Sequence, residues 1–279
     1  MRIHSHLALF FSLFSLPIWA SSASASEGRA PIVFAHGVGV PAAVYEHFVP
    51  LQKVFREFGY DVYVARTPAG GSLEERAQIL AREVARLVPD GPFHLVGHSM
   101  GGLDARLAIE KYGLGERCLS LTTLATPHHG SPLADWIVKA WNAGGLGSVP
   151  GLQDALQILG GDIGAAQSLT TGYVDGVFNV EVPDDARVKY FSLGFYIPSP
   201  AILYASAAPI WVMHDLLGRA GYDQNDGPVP TDSSKWGTYL GTLPGDHYSE
   251  TSPIPFGGHR IDREVFGRVL LNLDRQFAH

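Results

Sequence analysis

Short apolar runs and amphipathic stretches alternate along the first half of the chain. Pro31-Ile32-Val33-Phe34-Ala35 reads as a buried strand, Asp61 to Ala65 as a second, the apolar run from Phe93 as a third and Leu119 to Ala125 as a fourth. Between the first two, Val44 to Phe58 carries apolar residues at helical spacing and ends at Gly59, a C-cap signal. Leu73 to Val88 places Ala77, Leu80, Ala81, Val84 and Leu87–Val88 on one helical face and Glu75, Arg76, Arg82, Glu83 and Arg86 elsewhere. On that pattern Arg76 is a solvated helix charge. Pro89-Asp90-Gly91-Pro92 is a turn, and a helix pattern from Leu103 to Tyr112 follows the third strand. Such alternation predicts an α/β fold, a mainly parallel sheet with helices on both faces.

After Thr126-Pro127-His128-His129-Gly130-Ser131-Pro132 the alternation stops. Residues 132 to about 186 are helical and glycine-punctuated, with Trp136, Ile137, Trp141, Leu152, Leu156, Ile158 and Leu159 among small residues. An apolar insertion between strands suits a cap or lid over a site, although an ordinary peripheral helical layer has the same pattern. Val188 to Phe195 resumes the sheet, and Ala201 to Leu217 is a further apolar helix-length segment. Turn clusters at Asp223 to Pro230 and Pro244 to Tyr248 enclose strand and loop signals. Asp262 to Phe277 forms the terminal helix, with Val265, Phe266, Val269, Leu270 and Leu273 on its inner face. No internal repeat is visible.

Composition narrows the class. A chain of 279 residues, 46% hydrophobic and 17% charged, suffices for one large domain over residues 26–279. A net charge of −7 without any basic run argues against a nucleic-acid partner. Residues 1–25 read as a secretory signal: Arg2 is the basic head, Leu7 to Trp19 the apolar stretch and Ala23-Ser24-Ala25 the cleavage site, with cleavage after Ala20 as the alternative. That stretch is too short to span a membrane. Secretion is therefore expected, to the periplasm or beyond. The one cysteine, Cys118, excludes an internal disulfide and reads as a buried core residue.

The chemistry concentrates at Gly97-His98-Ser99-Met100-Gly101. The five-residue pattern alone is weak, but a strand before it and a helix after it make a G-x-S-x-G nucleophile elbow. The helix start then aims N–H groups at any oxyanion formed at Ser99. His36-Gly37-Val38-Gly39 ends the first strand where such folds place a second oxyanion donor, so the backbone N–H groups of Val38 and Met100 are the expected pair.

A serine nucleophile needs a base and an orienting carboxylate, met in the order serine, acid, histidine. His128 and His129 follow Ser99 too closely to leave room for the acid. His214 lies in an apolar helix and reads as a core histidine, and His279 is terminal. His247 leads over His259 as base because Asn225-Asp226-Gly227 precedes it by about twenty residues. For the acid Asp226 leads, with Asp223 and Asp215 behind it.

Together, Ala35-His36-Gly37, Gly97-His98-Ser99-Met100-Gly101-Gly102-Leu103, Thr126-Pro127-His128-His129-Gly130-Ser131, Asn225-Asp226-Gly227 and Asp246-His247 resemble the bacterial true lipases, family I of the Pseudomonas/Burkholderia type. The resemblance covers most of residues 30–270 and keeps the block order. It implies an α/β-hydrolase acting on carboxylic esters, chiefly triacylglycerols at an interface, with Ser99, Asp226 and His247 as triad and no organic cofactor. It also implies that Arg76 braces the oxyanion loop that contains His36, Gly37 and Val38.

Three departures stand out. Met100 replaces the usual glutamine, and the disulfide of many relatives is absent. The Asp that binds a structural Ca²⁺ two residues after the catalytic histidine is Ser249 here, leaving Glu250 and an upstream Asp215 or Asp223 as substitutes. The resemblance leaves open the dedicated folding chaperone of some relatives. A carboxylesterase for short-chain or polyester substrates, or a non-catalytic binding protein on the same fold, are the alternatives.

Overall fold

Branched and aromatic residues at consecutive positions form strands that are buried on both faces. In the computed structural model, which describes residues 29–39, 49–148, 150–198, 208–251 and 261–277, the elements run β1 (Ile32–Ala35), α1 (Val49–Glu57), β2 (Val62–Val64), α2 (Leu73–Leu87), β3 (Phe93–His98), α3 (Met100–Lys111) and β4 (Cys118–Leu124). The insertion follows, with α4 (Pro132–Asn142), α5 (Leu152–Ile158), α6 (Ile163–Ser168), α7 (Thr171–Tyr173), a π turn at Val174–Phe178 and α8 (Asn179–Glu181). β5 (Lys189–Tyr196), α9 (Ala208–Arg219), β6 (Thr238–Pro244) and α10 (Ile261–Phe277) complete the order. The six strands lie side by side as β2-β1-β3-β4-β5-β6, and every pairing is parallel. The α/β-hydrolase expectation is met.

Helices cover both faces. Side chains three apart on a strand point to opposite sides: Gly97 of β3 faces α3, whereas His94 meets Phe277 of α10 with ring centroids 4.8 Å apart. α2 starts with a capping box, the Ser72 hydroxyl accepting from the Glu75 N–H while the Glu75 carboxylate accepts from the Ser72 N–H. Periodicity shows α3 only from Leu103, while the elbow reading puts the helix start directly after the serine, and the helix begins there, at Met100. Met100-Gly101-Gly102 add nothing to the periodic pattern because two of the three residues have no side chain. β6 is the half-exposed edge strand, and its Thr-Tyr-Leu-Gly-Thr-Leu sequence gives only a faint alternation. Residues 1–25, the expected helix start at 44–48, the segment 201–207, His259 and His279 lie outside the described residues. Among the described helices none is long and apolar enough to cross a membrane.

His94 is buried with Nδ1 2.8 Å from Ser120 Oγ, and burial lowers its pKa to about 4. A depressed histidine pKa means that the unfolded chain takes up the proton first as pH falls. The neutral-His94 contribution is therefore complete above pH 6.5 and is lost as pH falls through about 4, up to about 3 kcal/mol in all. Urea unfolding at pH 7 and pH 4.5 is expected to show this loss, with a shallower pH slope in His94→Gln. An unchanged slope in the variant would remove His94 from the account.

Candidate functional site

Ser99 stands between the last residue of β3 and the first of α3 with φ 55° and ψ −135°, a conformation that costs a non-glycine residue about 1–3 kcal/mol. Close packing around the turn holds it there. A Cβ on Gly97 would lie 2.6 Å from the Gly102 Cα, and one on Gly101 would lie 2.4 Å from the Ala35 carbonyl oxygen, so α3 can approach β3 and β1 only with glycine at both positions. The Ser99 N–H donates to the Leu124 carbonyl at 2.9 Å, and the Thr126 hydroxyl donates to the Ser99 carbonyl at 2.8 Å. The turn is thus fixed by β4 and the loop after it.

Two loops at the same edge of the sheet bring partners to this serine. Asp226 follows α9, and its Oδ1 accepts from the Val229 N–H at 2.8 Å, which orients the carboxylate. His247 lies just beyond β6, and its backbone N–H donates to the Asp226 carbonyl at 3.0 Å. Its Nδ1 is 2.7 Å from Asp226 Oδ2 and its Nε2 is 2.9 Å from Ser99 Oγ. A carboxylate only accepts, so the ring proton belongs on Nδ1 and the Nε2 lone pair faces the serine hydroxyl. All three side chains are buried. The structure therefore brings Ser99, His247 and Asp226 together, whereas Asp215 is ion-paired with Arg219 on the exposed side of α9 and Asp223 is exposed.

With that constellation in view, the family can be assigned: the model of the alpha/beta hydrolase fold family matches residues 31–173. The chain belongs to the α/β-hydrolase fold family. It is 34% identical over 211 residues to Triacylglycerol lipase 2 of Saccharomyces cerevisiae, covering 71% of this chain and 59% of that one. It is 32% identical over 124 residues to a Triacylglycerol lipase of Pseudomonas fragi, covering 43% and 42% of the two chains. The chain thus spans less than two thirds of the length of these curated relatives. Among solved structures, the mature form of a Bacillus licheniformis lipase superposes with a TM-score of 0.70 at 24% identity, covering 89% of this chain and 94% of that one. A metagenomic carboxyl esterase gives 0.69 at 22%, covering 88% and 76%. At these identities the likeness shows the fold.

In this α/β-hydrolase the loop Ala35 to Gly39 passes beside the serine. Among the described residues neither the Val38 nor the Met100 N–H donates to a backbone acceptor, and Met100 is the first residue of α3, where N–H groups lack helical partners. His36 is buried, its Nδ1 2.8 Å from the Gly37 carbonyl and its Nε2 3.1 Å from the Thr67 hydroxyl. Arg76 corrects the amphipathic reading, because it is wholly buried rather than solvated. Its Nε donates to Asp104 Oδ2 at 2.9 Å, its Nη2 to the His36 carbonyl at 2.8 Å and its Nη1 to the Pro68 carbonyl. Asp104, on α3, had no signal in the sequence that set it apart from the other charged residues of that helix, Arg106, Glu110 and Lys111. Burial raises its carboxyl to about 6 despite the neighbouring guanidinium.

Beside the serine runs an apolar cleft whose walls include Leu133 and Ala134 of α4, Ile158 and Leu159 at the end of α5, Leu169 and Val229. Most of that wall comes from the insertion after β4. Among the described residues three further histidines have structural partners. His128 lies 2.9 Å from the Thr123 hydroxyl and stacks on Trp236, His129 pairs with Asp175, and His214 Nδ1 is 2.9 Å from Asn225 Oδ1. Cys118 is buried and free, with its thiol pushed up by burial.

His98, His247 and Glu250 carry ligand-type atoms within 4.8 Å of one another. Both His247 nitrogens are engaged with Ser99 and Asp226, and His98 Nε2 is 3.1 Å from Glu250 Oε2, which leaves Glu250 Oε1, buried without a hydrogen-bond partner, as the carboxylate oxygen the set still offers. Burial first, and the Asp226 carboxylate second, push Glu250 well above the ordinary carboxylate range. A calcium cage needs about six to eight oxygens. Here the Ser249 hydroxyl is taken up by the Asp246 backbone, Asp215 by Arg219 and one Glu250 oxygen by His98, so Glu250 Oε1 stands as a single oxygen where a cage is needed. These residues do not fit a calcium site.

Proposed function

We propose that the chain is a secreted serine ester hydrolase that cleaves triacylglycerols through an acyl-enzyme on Ser99. The carrying observation is His247, which faces Ser99 with one ring nitrogen and Asp226 with the other beside an apolar cleft. His247 takes the Ser99 proton as the oxygen attacks the ester carbonyl, and the N–H groups of Val38 and Met100 receive the oxyanion. The tetrahedral adduct collapses by breaking the bond to the alcohol, which leaves with the proton from His247. Water, deprotonated by His247, then attacks the acyl-enzyme and releases the acid and Ser99. Asp226 holds the imidazole and stabilises its charged form throughout.

The apolar walls supplied by α4 and α5 favour acyl chains, and the names of the yeast and Pseudomonas relatives support triacylglycerols as the ester class. The insertion over residues 132–186 serves as the cap, and residues 1–25 direct export. The test is a chain-length profile of ester hydrolysis, measured across the critical aggregation concentration of each ester with and without EDTA. The expected result is a rate that rises once an interface forms and that EDTA leaves unchanged. A rate that saturates below aggregation on short acyl esters would make the chain a carboxylesterase instead. A loss with EDTA, restored by calcium, would overturn the reading of Ser249 and Glu250.

A further inference from the structure

Three segments far apart in sequence meet backbone to backbone behind the oxyanion loop. Gly39, the neighbour of Val38, donates its N–H to the Ala69 carbonyl at 2.7 Å. A Cβ on Gly39 would fall 1.8 Å from the Ile158 carbonyl oxygen, and one on Gly160 would fall 2.5 Å from the Ala69 carbonyl oxygen. The α5–α6 turn of the insertion, the oxyanion loop and the loop before α2 are therefore in direct contact. Asp162 bridges two of them. Its Oδ1 accepts from the Gly164 N–H at 2.8 Å and caps α6, while its Oδ2 reaches across to accept from the Gly71 N–H at 2.7 Å.

Gly71 immediately precedes Ser72, the N-cap of the helix that delivers Arg76 to the His36 and Pro68 carbonyls. The loop from Arg66 to Ser72 is thus held at one end by Asp162 and at Pro68 by Arg76, and its Ala69 carbonyl holds Gly39. We infer that Asp162 is a positioning residue for the oxyanion hole, locking the loop that sets the Val38 N–H to the insertion. This rests on the proposal that Val38 supplies an oxyanion donor. A carboxylate-to-amide bond is charge-assisted and short, so it fixes the loop better than a neutral contact. Loss of a whole oxyanion donor costs about 10²–10³ in kcat, and misplacing one by its support is expected to cost about tenfold. Asp162 does not line the cleft, so substrate binding should be spared.

Asp162→Ser keeps a competent N-cap for α6 but is too short to reach Gly71 as well, and Asp162→Ala removes both bonds. Rates are normalised to active sites titrated with a fluorophosphonate, with Ser99→Ala as the control for the underlying chemistry. The expected result is kcat down about tenfold in both variants, KM within twofold of wild type, and a larger fall in Tm in Asp162→Ala than in Asp162→Ser. An unchanged kcat per active site in Asp162→Ser, or a loss confined to KM, overturns the inference while an inactive Ser99→Ala leaves the esterase proposal standing. An active Ser99→Ala overturns the esterase proposal and the inference with it.

Discussion

Ser99→Ala is expected to lower kcat/KM on p-nitrophenyl esters by at least about 10⁴-fold, because nucleophile and base act as a unit and little survives the loss of either. The folded state should hardly notice. The Ser99 side chain makes its hydrogen bond to His247, while the turn is held by backbone bonds to Leu124 and Thr126 that an alanine keeps. His247→Ala should fall to a similar floor. Any residual rate would come from the Val38 and Met100 amides and the cleft. Hydrolysis by Ser99→Ala above about one hundredth of the wild-type rate would remove Ser99 from the mechanism, and unchanged thermal melting would exclude misfolding as the cause of its loss.

Removing Arg76 is expected to be the most damaging single change to the fold. Arg76 and Asp104 are both wholly inaccessible to solvent, 2.7 Å apart at their closest, and Asp104 Oδ1 already lacks a partner. Arg76→Ala leaves that carboxylate buried and unpaired and frees two loop carbonyls, at an expected cost of about 3–5 kcal/mol in urea unfolding. An apolar pair, Arg76→Met with Asp104→Leu, removes both charges together and should recover much of the stability. Activity should not recover with it, since the His36 and Pro68 carbonyls still lack their donor. Stability in Arg76→Ala within about 1 kcal/mol of wild type would mean that water replaces the guanidinium. A double variant with full kcat would mean that the brace is irrelevant to the oxyanion loop.

Much of this arrangement was legible because it depends on local pattern. Strands buried on both faces leave continuous apolar runs, so β1, β3, β4 and β5 were readable within a residue or two. The elbow was readable because it needs glycine at Gly97 and Gly101 whatever the rest of the sequence does. Asp226 and His247 led on chain order together with the spacing of about twenty residues between their two turns, ahead of Asp223, Asp215 and His259. Arg76 was misread from its spacing, since a helical pattern distinguishes apolar from charged residues but not a buried charge from a solvated one. Its partner Asp104 and the bridge from Asp162 to Gly71 depend on contacts between segments 28 and 91 residues apart, which no local window contains. Glu250 against His98, across 152 residues, is of the same kind.

The half-exposed edge strand β6 has a consequence for how long the chemistry lasts. Ser99 follows a strand with neighbours on both sides, but His247 follows one paired with β5 at the rim of the sheet. Fraying starts at rims, so the imidazole is expected to drift before the serine turn opens, leaving an intact nucleophile with nothing to take its proton. Inactivation without unfolding is the failure this placement favours, because a base at the rim can be lost while the core still holds.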